Sequence, residues 1–290
     1  SWPTALTSAR PPDQCGQCKA LLQAEQGTDL HRPPRPWHKP PRGKSAMNRV
    51  TVCGHAFAVD DEKPSFWQRA ADGAWEADFL ADLVASLGPG DLLLDIGGWV
   101  GPVSLLAASC GAQVIALEPD PAAARQFRAN VAANPDLAPR ITLIEAALTA
   151  EGGPVTLGSP RKPGDSMGSL LLAGQGVADW QAESLTPAAL FARLPAYRRL
   201  FIKIDIEGGE YRLGHALAPL AALQPECAWL AFHPAILAGT GQKDESTLKS
   251  ATSALFEVWA GLKPQNVGSG AGDTLAEALR APITVKFSHP

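Results

Sequence analysis

Residues 91–101 read DLLLDIGGWVG, an apolar run that ends in the carboxylate Asp95 and continues into a glycine turn. Pro102 follows the turn and suits the first position of a helix, where its missing N–H costs nothing. A second apolar run covers 113–117 and also ends in an acid, Glu118. A buried strand, a glycine turn and a helix start together form a ligand site in open α/β sheets, so the stretch predicts an α/β fold. It also predicts that the two carboxylates meet at one sheet edge.

The glycine spacing bears on the kind of ligand. Dinucleotide sites need glycines in G-x-G-x-x-G spacing so that backbone N–H groups reach a pyrophosphate, and here Trp99 occupies the second glycine position. S-adenosylmethionine carries an ammonium, a sulfonium and a ribose diol instead, which match two acids. On this interpretation Asp95 meets the amino-acid end and Glu118 accepts the ribose hydroxyls. A nicotinamide-dependent oxidoreductase is the alternative that the spacing disfavours.

A third segment, residues 200–210, alternates apolar and charged side chains. Its isoleucines share one face of a strand, and the other face carries Lys203, Asp205 and Glu207. Charged side chains on an otherwise apolar strand are costly to bury unless they pair or meet a ligand. The segment therefore predicts a functional strand end, with a solvated edge strand, in which Lys203 pairs with an acid, as the alternative.

On these motifs the chain resembles the FkbM family of S-adenosylmethionine-dependent methyltransferases. The matching segments are GAWE at 73–76, the glycine turn at 95–101, Glu118-Pro119, Asn130 and KIDIEGGE at 203–210. The resemblance implies the class I Rossmann-like fold, a mainly parallel sheet of seven strands with the last one antiparallel and helices on both faces. It also implies methyl transfer to a hydroxyl group of a sugar or another small molecule, with N-methylation as a second choice.

The resemblance further implies roles for particular residues. The expected cofactor-binding residues are Glu76, Asp95, Gly97, Gly98, Gly101, Glu118, Pro119, Ala146 and Asp205. The expected catalytic residues are Lys203, Asp205, Glu207 and His233. His233 follows a strand end, and its ordinary pKa suits a general base; Asp205 and Glu207 are the other candidates for that role.

Three features leave alternatives open. Residues 158–185 are expected to be irregular and to bring Ser166 and Ser169 to the acceptor, or else to form a plain surface loop. A site without metal is expected, with a divalent cation held by the two acids and His233 as the alternative. Trp99 stands where the family has a smaller residue, so a module that binds the cofactor without turnover is a second hypothesis.

The composition is that of a globular protein, with 46% hydrophobic and 19% charged residues among 290. No apolar run is long enough to cross a membrane, and no signal-like opening is present, so a cytoplasmic protein is expected. The five cysteines form no even pattern, which agrees with a reducing compartment.

The first part of the chain differs from the rest. Residues 1–50 carry eight basic and three acidic side chains and many prolines, which predicts a flexible tail over 1–46. The resemblance then implies that residues 47–290 form the methyltransferase domain. The body is acidic, so nucleic acid is not expected as a partner. The tail holds Cys15, Cys18, His31 and His38 at nearly zinc-finger spacing. The interval between the histidines is too long and the prolines prevent the helix, so no zinc is expected.

Overall fold

The computed structural model describes residues 48–60, 62–175, 178–239, 245–268 and 273–290. The predicted tail over 1–46, with its cysteines and histidines, lies outside the described residues. Within the described ranges, every helix is too short or too polar to span a bilayer.

The strands alternate with helices along most of the chain. The strands are β1 (Asn48–Val52), β2 (His55–Val59), β3 (Leu92–Ile96), β4 (Gln113–Leu117), β5 (Ile141–Ile144), β6 (Ala146–Leu148), β7 (Gly153–Ser159), β8 (Ala178–Leu185), β9 (Leu200–Ile204), β10 (Cys227–Phe232), β11 (Lys263–Asn266) and β12 (Ile283–Ser288). The α-helices are α1 (Pro64–Ala71), α2 (Ala77–Ser86), α3 (Pro102–Ser109), α4 (Pro121–Ala132), α5 (Pro187–Phe191), α6 (Glu210–Leu213), α7 (Ala218–Ala221), α8 (Pro234–Gly239), α9 (Glu245–Val258) and α10 (Thr274–Ala278). Short 3-10 segments cover Ala138–Arg140, Leu170–Leu172 and Gly214–Leu217.

The main sheet has seven strands in the order β11-β12-β10-β9-β3-β4-β5. The five strands from β10 to β5 run parallel, whereas β12 runs antiparallel to β10 and to β11. Every residue of β3 and of β9 is buried, as in parallel strands covered on both faces. The fold class is therefore confirmed, including the antiparallel last strand.

Helices cover both faces of this sheet. On one face α1 to α4 pack with the β1–β2 hairpin around a core that includes Phe57, Phe127 and Trp229. On the other face α5 to α10 pack around a core that includes Ile202 and Leu230. The layers bury a large apolar area on each side, which fixes the sheet rigidly between them.

The strand order reverses at β3. Strands β4 and β5 lie to one side of β3, and β9 and β10 lie to the other. The register pairs Asp95 with Lys203 and Ile96 with Ile204, so the carboxyl ends of β3 and β9 meet. Open α/β sheets bind ligands in the crevice at such a reversal.

Two sequence predictions about strands need correction. The stretch 158–185 is only partly irregular: it contains the loop 160–169, but Ala178–Leu185 form β8, which pairs with β6 and β7 in a separate three-stranded sheet of order β6-β8-β7. The solvated edge strand is also excluded, because β9 lies between β3 and β10. Since β9 ends at Ile204, Asp205 and Glu207 follow the strand instead of lying within it.

Candidate functional site

The glycine turn after β3 is held against the end of β9. Gly97 has a φ of +87°, and a Cβ at this position would lie 1.9 Å from the carbonyl oxygen of Asp205. Only glycine tolerates both the left-handed backbone and this close approach. The turn and the end of β9 therefore form one continuous surface.

Four backbone N–H groups of this turn already donate to other atoms of the protein. Gly97 and Gly98 both donate to the carbonyl oxygen of Leu117, at 3.0 and 2.9 Å. Trp99 donates to Glu118 Oε2 at 2.7 Å, and Gly101 donates to the carbonyl oxygen of Gly98 at 2.8 Å. Helix α3 then starts with a proline, which has no N–H. These donors do not face a pyrophosphate, which disfavours a dinucleotide site.

Glu118 lies at the end of β4, on the same edge as the glycine turn. Its two oxygens accept hydrogen bonds from the N–H groups of Trp99 and Asp120, at 2.7 and 2.8 Å. Burial raises the pKa of the Glu118 carboxyl to about 7, although these two hydrogen bonds act in the opposite direction. Each oxygen keeps a further lone pair, so the fixed carboxyl group can accept hydrogen bonds from a ligand.

Asp95 does not line the cleft, which corrects its assignment to the cofactor. The residue is fully buried, Ser104 Oγ donates to its Oδ2 at 2.6 Å, and Lys203 Nζ lies 3.3 Å from its Oδ1. Lys203 Nζ also donates to the carbonyl oxygen of Gly97 at 2.7 Å. The Asp95–Lys203 pair therefore holds the glycine turn in place through the Gly97 carbonyl oxygen.

The acids around Lys203 favour its charged form. Burial acts against the ammonium, but the carboxylates of Asp95, Asp205 and Glu76 outweigh this and raise the pKa of Lys203. A charged lysine has no lone pair for proton abstraction, which speaks against Lys203 as the general base. Its contacts with Asp95 and the Gly97 carbonyl oxygen position the turn, and because it also lines the cleft, any further catalytic role stays a prediction.

Beyond β9 and β10 lies a group of three side chains, Asp205, Glu207 and His233, called here the carboxylate–histidine cluster. His233 Nε2 lies 3.6 Å from Asp205 Oδ1 and 3.6 Å from Glu207 Oε2. On the other side of the ring, His233 Nδ1 lies 3.0 Å from Glu210 Oε1. Glu210 is fully buried, and its second oxygen accepts a hydrogen bond from the N–H of Gly208 at 2.9 Å. The ring orientation is therefore fixed.

The surrounding acids decide the charge of His233. Burial opposes the imidazolium, but the hydrogen bond with Glu210 and the carboxylates of Asp205 and Glu207 raise the pKa of His233 to about 10. An imidazolium cannot accept a proton, so this charge state speaks against His233 as the general base. Burial also raises the pKa of Glu207, outweighing the opposite effect of His233. Asp205 and Glu207 remain the candidates for the base.

A cleft of about 1110 Å³, counting the part open to solvent, lies at this sheet edge. Ten of the predicted site residues line it: Glu76, Gly97, Gly98, Glu118, Pro119, Ala146, Ser166, Lys203, Asp205 and Glu207. Glu76 is exposed to the cleft, yet the walls desolvate its carboxyl group and Asp205 repels it, so its pKa is raised. His233 and Gly101 do not line the cleft. His233 lies beside Asp205 and Glu207, and Gly101 packs on the Phe127 ring.

Ser169 is a structural residue, which corrects its assignment to the acceptor. Its side chain is buried, and Oγ accepts a hydrogen bond from the N–H of Leu171 at 3.1 Å, capping a 3-10 segment. Ser166, by contrast, is exposed in the wall of the cleft. The loop thus brings one of the two serines to the site.

Trp99 connects the glycine turn to the loop 160–169. Its indole Nε1 donates to the carbonyl oxygen of Gly164 at 3.1 Å, and Lys63 Nζ donates to the same oxygen at 2.7 Å. The N–H of Gly164 in turn donates to Asp120 Oδ2. The Trp99 ring also packs edge-on against Phe66, with ring centroids 4.5 Å apart. The large side chain thus belongs to the wall and leaves the cleft open.

Sequence reasoning missed several residues of this site. The aromatic wall is formed by Phe66, Trp75, Trp99 and Trp180. Trp180 comes from β8, whose period-2 alternation was the available signal. Glu210 belongs to the KIDIEGGE motif, three residues after Glu207. Only the fold shows that it faces His233.

No protein-family model and no curated protein sequence matches the chain. A solved structure of precorrin-6y C5,15-methyltransferase from Geobacter metallireducens is 16% identical, with 74% of this chain and 90% of that chain covered and a TM-score of 0.39. A SAM-dependent methyltransferase from Agrobacterium tumefaciens is 12% identical, with 93% and 78% covered and a TM-score of 0.43.

Fibrillarin from Aeropyrum pernix, solved with natively bound S-adenosyl-L-methionine, is 12% identical, with 85% of both chains covered and a TM-score of 0.42. At these identities and TM-scores the likeness assigns neither a family nor a substrate. The function therefore rests on the geometry of the site itself.

Proposed function

We propose that this protein is an S-adenosylmethionine-dependent methyltransferase that acts on a hydroxyl group of a small molecule. The observation that carries the proposal is the cleft at the β3–β9 reversal. Its carboxyl groups include those of Glu118, Asp205 and Glu207, while four of the turn N–H groups are engaged within the protein. Such a site favours a ligand rich in hydroxyls and positive charge over a phosphate.

The residues present fit this cofactor. Glu118 offers two fixed oxygens with free lone pairs at the end of β4, where a ribose diol would bind. The acids Glu76 and Asp205 line the same cleft and would hold an ammonium group. The aromatic rings of Phe66 and Trp99 supply an apolar wall against which a nucleobase would pack.

The cofactor supplies an activated methyl group on a sulfonium sulfur. Transfer of this methyl group to an acceptor hydroxyl would leave the cofactor as a neutral thioether and release the hydroxyl proton, which a carboxylate of this chain would take up. The protein must therefore align the acceptor and take up one proton.

Glu207 is the residue we assign to proton uptake, with Asp205 beside it. Burial raises the pKa of Glu207, and a carboxylate with a raised pKa is a stronger base. His233 lies next to both carboxylates and, when no cation is bound, would hold them in place as an imidazolium. Ser166 and Asp165 line the outer part of the cleft and would contact the acceptor.

Cofactor binding is tested by isothermal titration of the protein with S-adenosylhomocysteine. We expect Glu118→Gln to weaken binding about 10- to 100-fold, since a charge-assisted hydrogen bond contributes about 1.5–3 kcal/mol. The matched control is Glu145→Gln, a half-exposed glutamate that follows β5 and pairs with Arg128. No binding to the wild type, or equal affinities for the two variants, would contradict the proposal.

Turnover is tested on a panel of sugars and hydroxy acids by following release of S-adenosylhomocysteine. We expect Glu207→Gln to lower kcat at least about 100-fold, the usual contribution of a general base, with affinity for the cofactor product little changed. Binding without turnover across the panel would instead favour a module that binds the cofactor without catalysis.

A further inference from the structure

We propose that the carboxylate–histidine cluster of Asp205, Glu207 and His233 binds a divalent cation in the cleft. One ligand atom from each side chain can be chosen so that all three lie within 4.8 Å of one another. Two atoms on one ion, each about 2.1 Å from it, are at most about 4.2 Å apart. Both His233-to-carboxylate separations, at 3.6 Å, already fall within that limit.

The cluster is held by rigid elements. Asp205 and Glu207 directly follow β9, and His233 directly follows β10. These two strands pair in parallel, with Ile204 opposite Leu230, in the middle of the main sheet. Metal sites require ligands whose positions are fixed before the ion binds, and neighbouring strand ends supply this.

The buried side chain of Glu210 is an independent observation. Its carboxylate is fully buried and accepts from the Gly208 N–H while facing His233 Nδ1 at 3.0 Å. A carboxylate on one ring nitrogen directs the other nitrogen, here Nε2, toward the two acids. Histidines that bind metals are oriented in this way by a second carboxylate. An ion at this position takes the place of the Nε2 proton.

The charges around the cluster favour a cation. Asp205, Glu207 and Glu210 are three acids around one imidazole. Lys203 Nζ lies 3.6 Å from Asp205 Oδ2 but is closer to Asp95 and to the Gly97 carbonyl oxygen. The positive charge of Lys203 therefore neutralises Asp95 more than it neutralises Asp205.

The donor set indicates the class of ion. Two carboxylates and one imidazole suit ions such as Mn²⁺, Fe²⁺ or Zn²⁺ and leave coordination positions open. Asp205 and Glu207 line the cleft, so these positions face the place where an acceptor would lie. The role of the ion, as distinct from its binding, rests on the proposed function: it would orient the acceptor oxygen and ease loss of its proton.

The test uses Mn²⁺ alone as the probe, with the full chain, and follows loss of the free Mn²⁺ signal by electron paramagnetic resonance. Mn²⁺ is chosen because it disfavours thiolates, so Cys15 and Cys18 compete little. We expect one bound ion per chain, at least about 10-fold weaker in Asp205→Asn and about 10- to 100-fold weaker in Glu210→Gln. His215→Ala is the matched control, because His215 pairs with Glu257 alone at 3.5 Å on the surface.

No bound Mn²⁺ in the wild type, or unchanged affinity in Asp205→Asn and Glu210→Gln when both are folded by circular dichroism, would overturn the inference. S-adenosylhomocysteine binding is measured separately in the presence of a chelator. Cofactor binding without Mn²⁺ binding refutes only the cation site, whereas Mn²⁺ binding without cofactor binding refutes only the proposed function.

Discussion

At the scale of single residues, Gly97 carries the most severe steric constraint among the described glycines. A Cβ there would overlap the Asp205 carbonyl oxygen at 1.9 Å. Gly73 is a matched comparison, because it also has a positive φ but has no atom within 4 Å of the same position.

We expect Gly73→Ala to lower the free energy of unfolding by about 1–2 kcal/mol, the cost of the left-handed backbone alone. Gly97→Ala should lower it by more than about 4 kcal/mol or prevent folding, because backbone atoms must move apart. Urea denaturation of both variants measures this. Similar losses for the two would show that the glycine turn is not packed against β9 as described.

Glu118 should make stability depend on pH. Burial raises the pKa of its carboxyl from an ordinary 4.5 to about 7, so the folded protein prefers the neutral form. This contribution is fully present below pH 4.5 and is lost as the pH rises through 7. Relative to Glu118→Gln, we expect the wild type to lose up to about 3 kcal/mol between pH 4.5 and 8. A constant difference across this range, measured by urea denaturation, would exclude the raised pKa.

The sequence predicts which acids lie near the candidate site, but it does not predict the contact that each of them makes. Glu118, Asp205 and Glu207 were found because an acid directly after a strand reaches the ligand edge of a parallel sheet. Asp95 lies within β3, one residue before its end, and faces Ser104 and Lys203. Spacing along the chain does not show which carboxylate will meet a buried lysine across the sheet.

At the scale of elements, the small sheet and its neighbouring loop were the hardest parts to predict. In β8 the side chains of Asp179, Gln181 and Glu183 are exposed in alternation with half-buried neighbours. A short alternation of this kind is weak evidence without its partners β6 and β7. The strongly apolar strands of the main sheet could be predicted because burial on both faces makes them continuous hydrophobic runs.

The tether between Trp99 and Gly164 should control the loop 160–169. Trp99→Phe keeps an aromatic ring beside Phe66 but removes the hydrogen bond to the Gly164 carbonyl oxygen. Since such a bond contributes about 0.5–1.5 kcal/mol, we expect trypsin to cleave after the exposed Arg161 roughly 2- to 10-fold faster.

Trp180→Phe is the control for this experiment. The Trp180 ring lies against Gly168 of the same loop, but its indole N–H is buried without a hydrogen bond to any described residue. The same change of ring therefore removes packing on the loop but no hydrogen bond. Equal cleavage rates for both variants would mean that the hydrogen bond does not restrain the loop.

At the scale of the whole molecule, the carboxyl and amino ends of the parallel strands carry different groups. The carboxyl edge carries the cleft, while the amino edge carries Asp91, a buried carboxylate directly before β3. Arg198 Nε and Arg199 Nη2 donate to its oxygens at 3.0 and 2.7 Å. This cluster connects the starts of the two central strands.

We expect Asp91→Ala to lower the free energy of unfolding by about 2–4 kcal/mol, through the loss of several charge-assisted hydrogen bonds. The affinity for S-adenosylhomocysteine should change less than about 2-fold, since an isolated effect at a distant site is additive. Urea denaturation and isothermal titration measure the two quantities. A parallel loss of affinity would contradict this separation of the edges.

The pairing of Lys203 with Asp95 has a consequence for how the chain assembles. Shifting β9 by one residue along β3 would bring Ile202 or Ile204 opposite Asp95 and turn the ammonium into the aliphatic layer around Leu230. Asp95 and Lys203 would then both be buried without an opposite charge. Burying an unpaired charge costs far more free energy than misplacing a methyl group. The ion pair thus favours the observed register of β3 and β9, and this same register places Asp205 and Glu207 at the cleft.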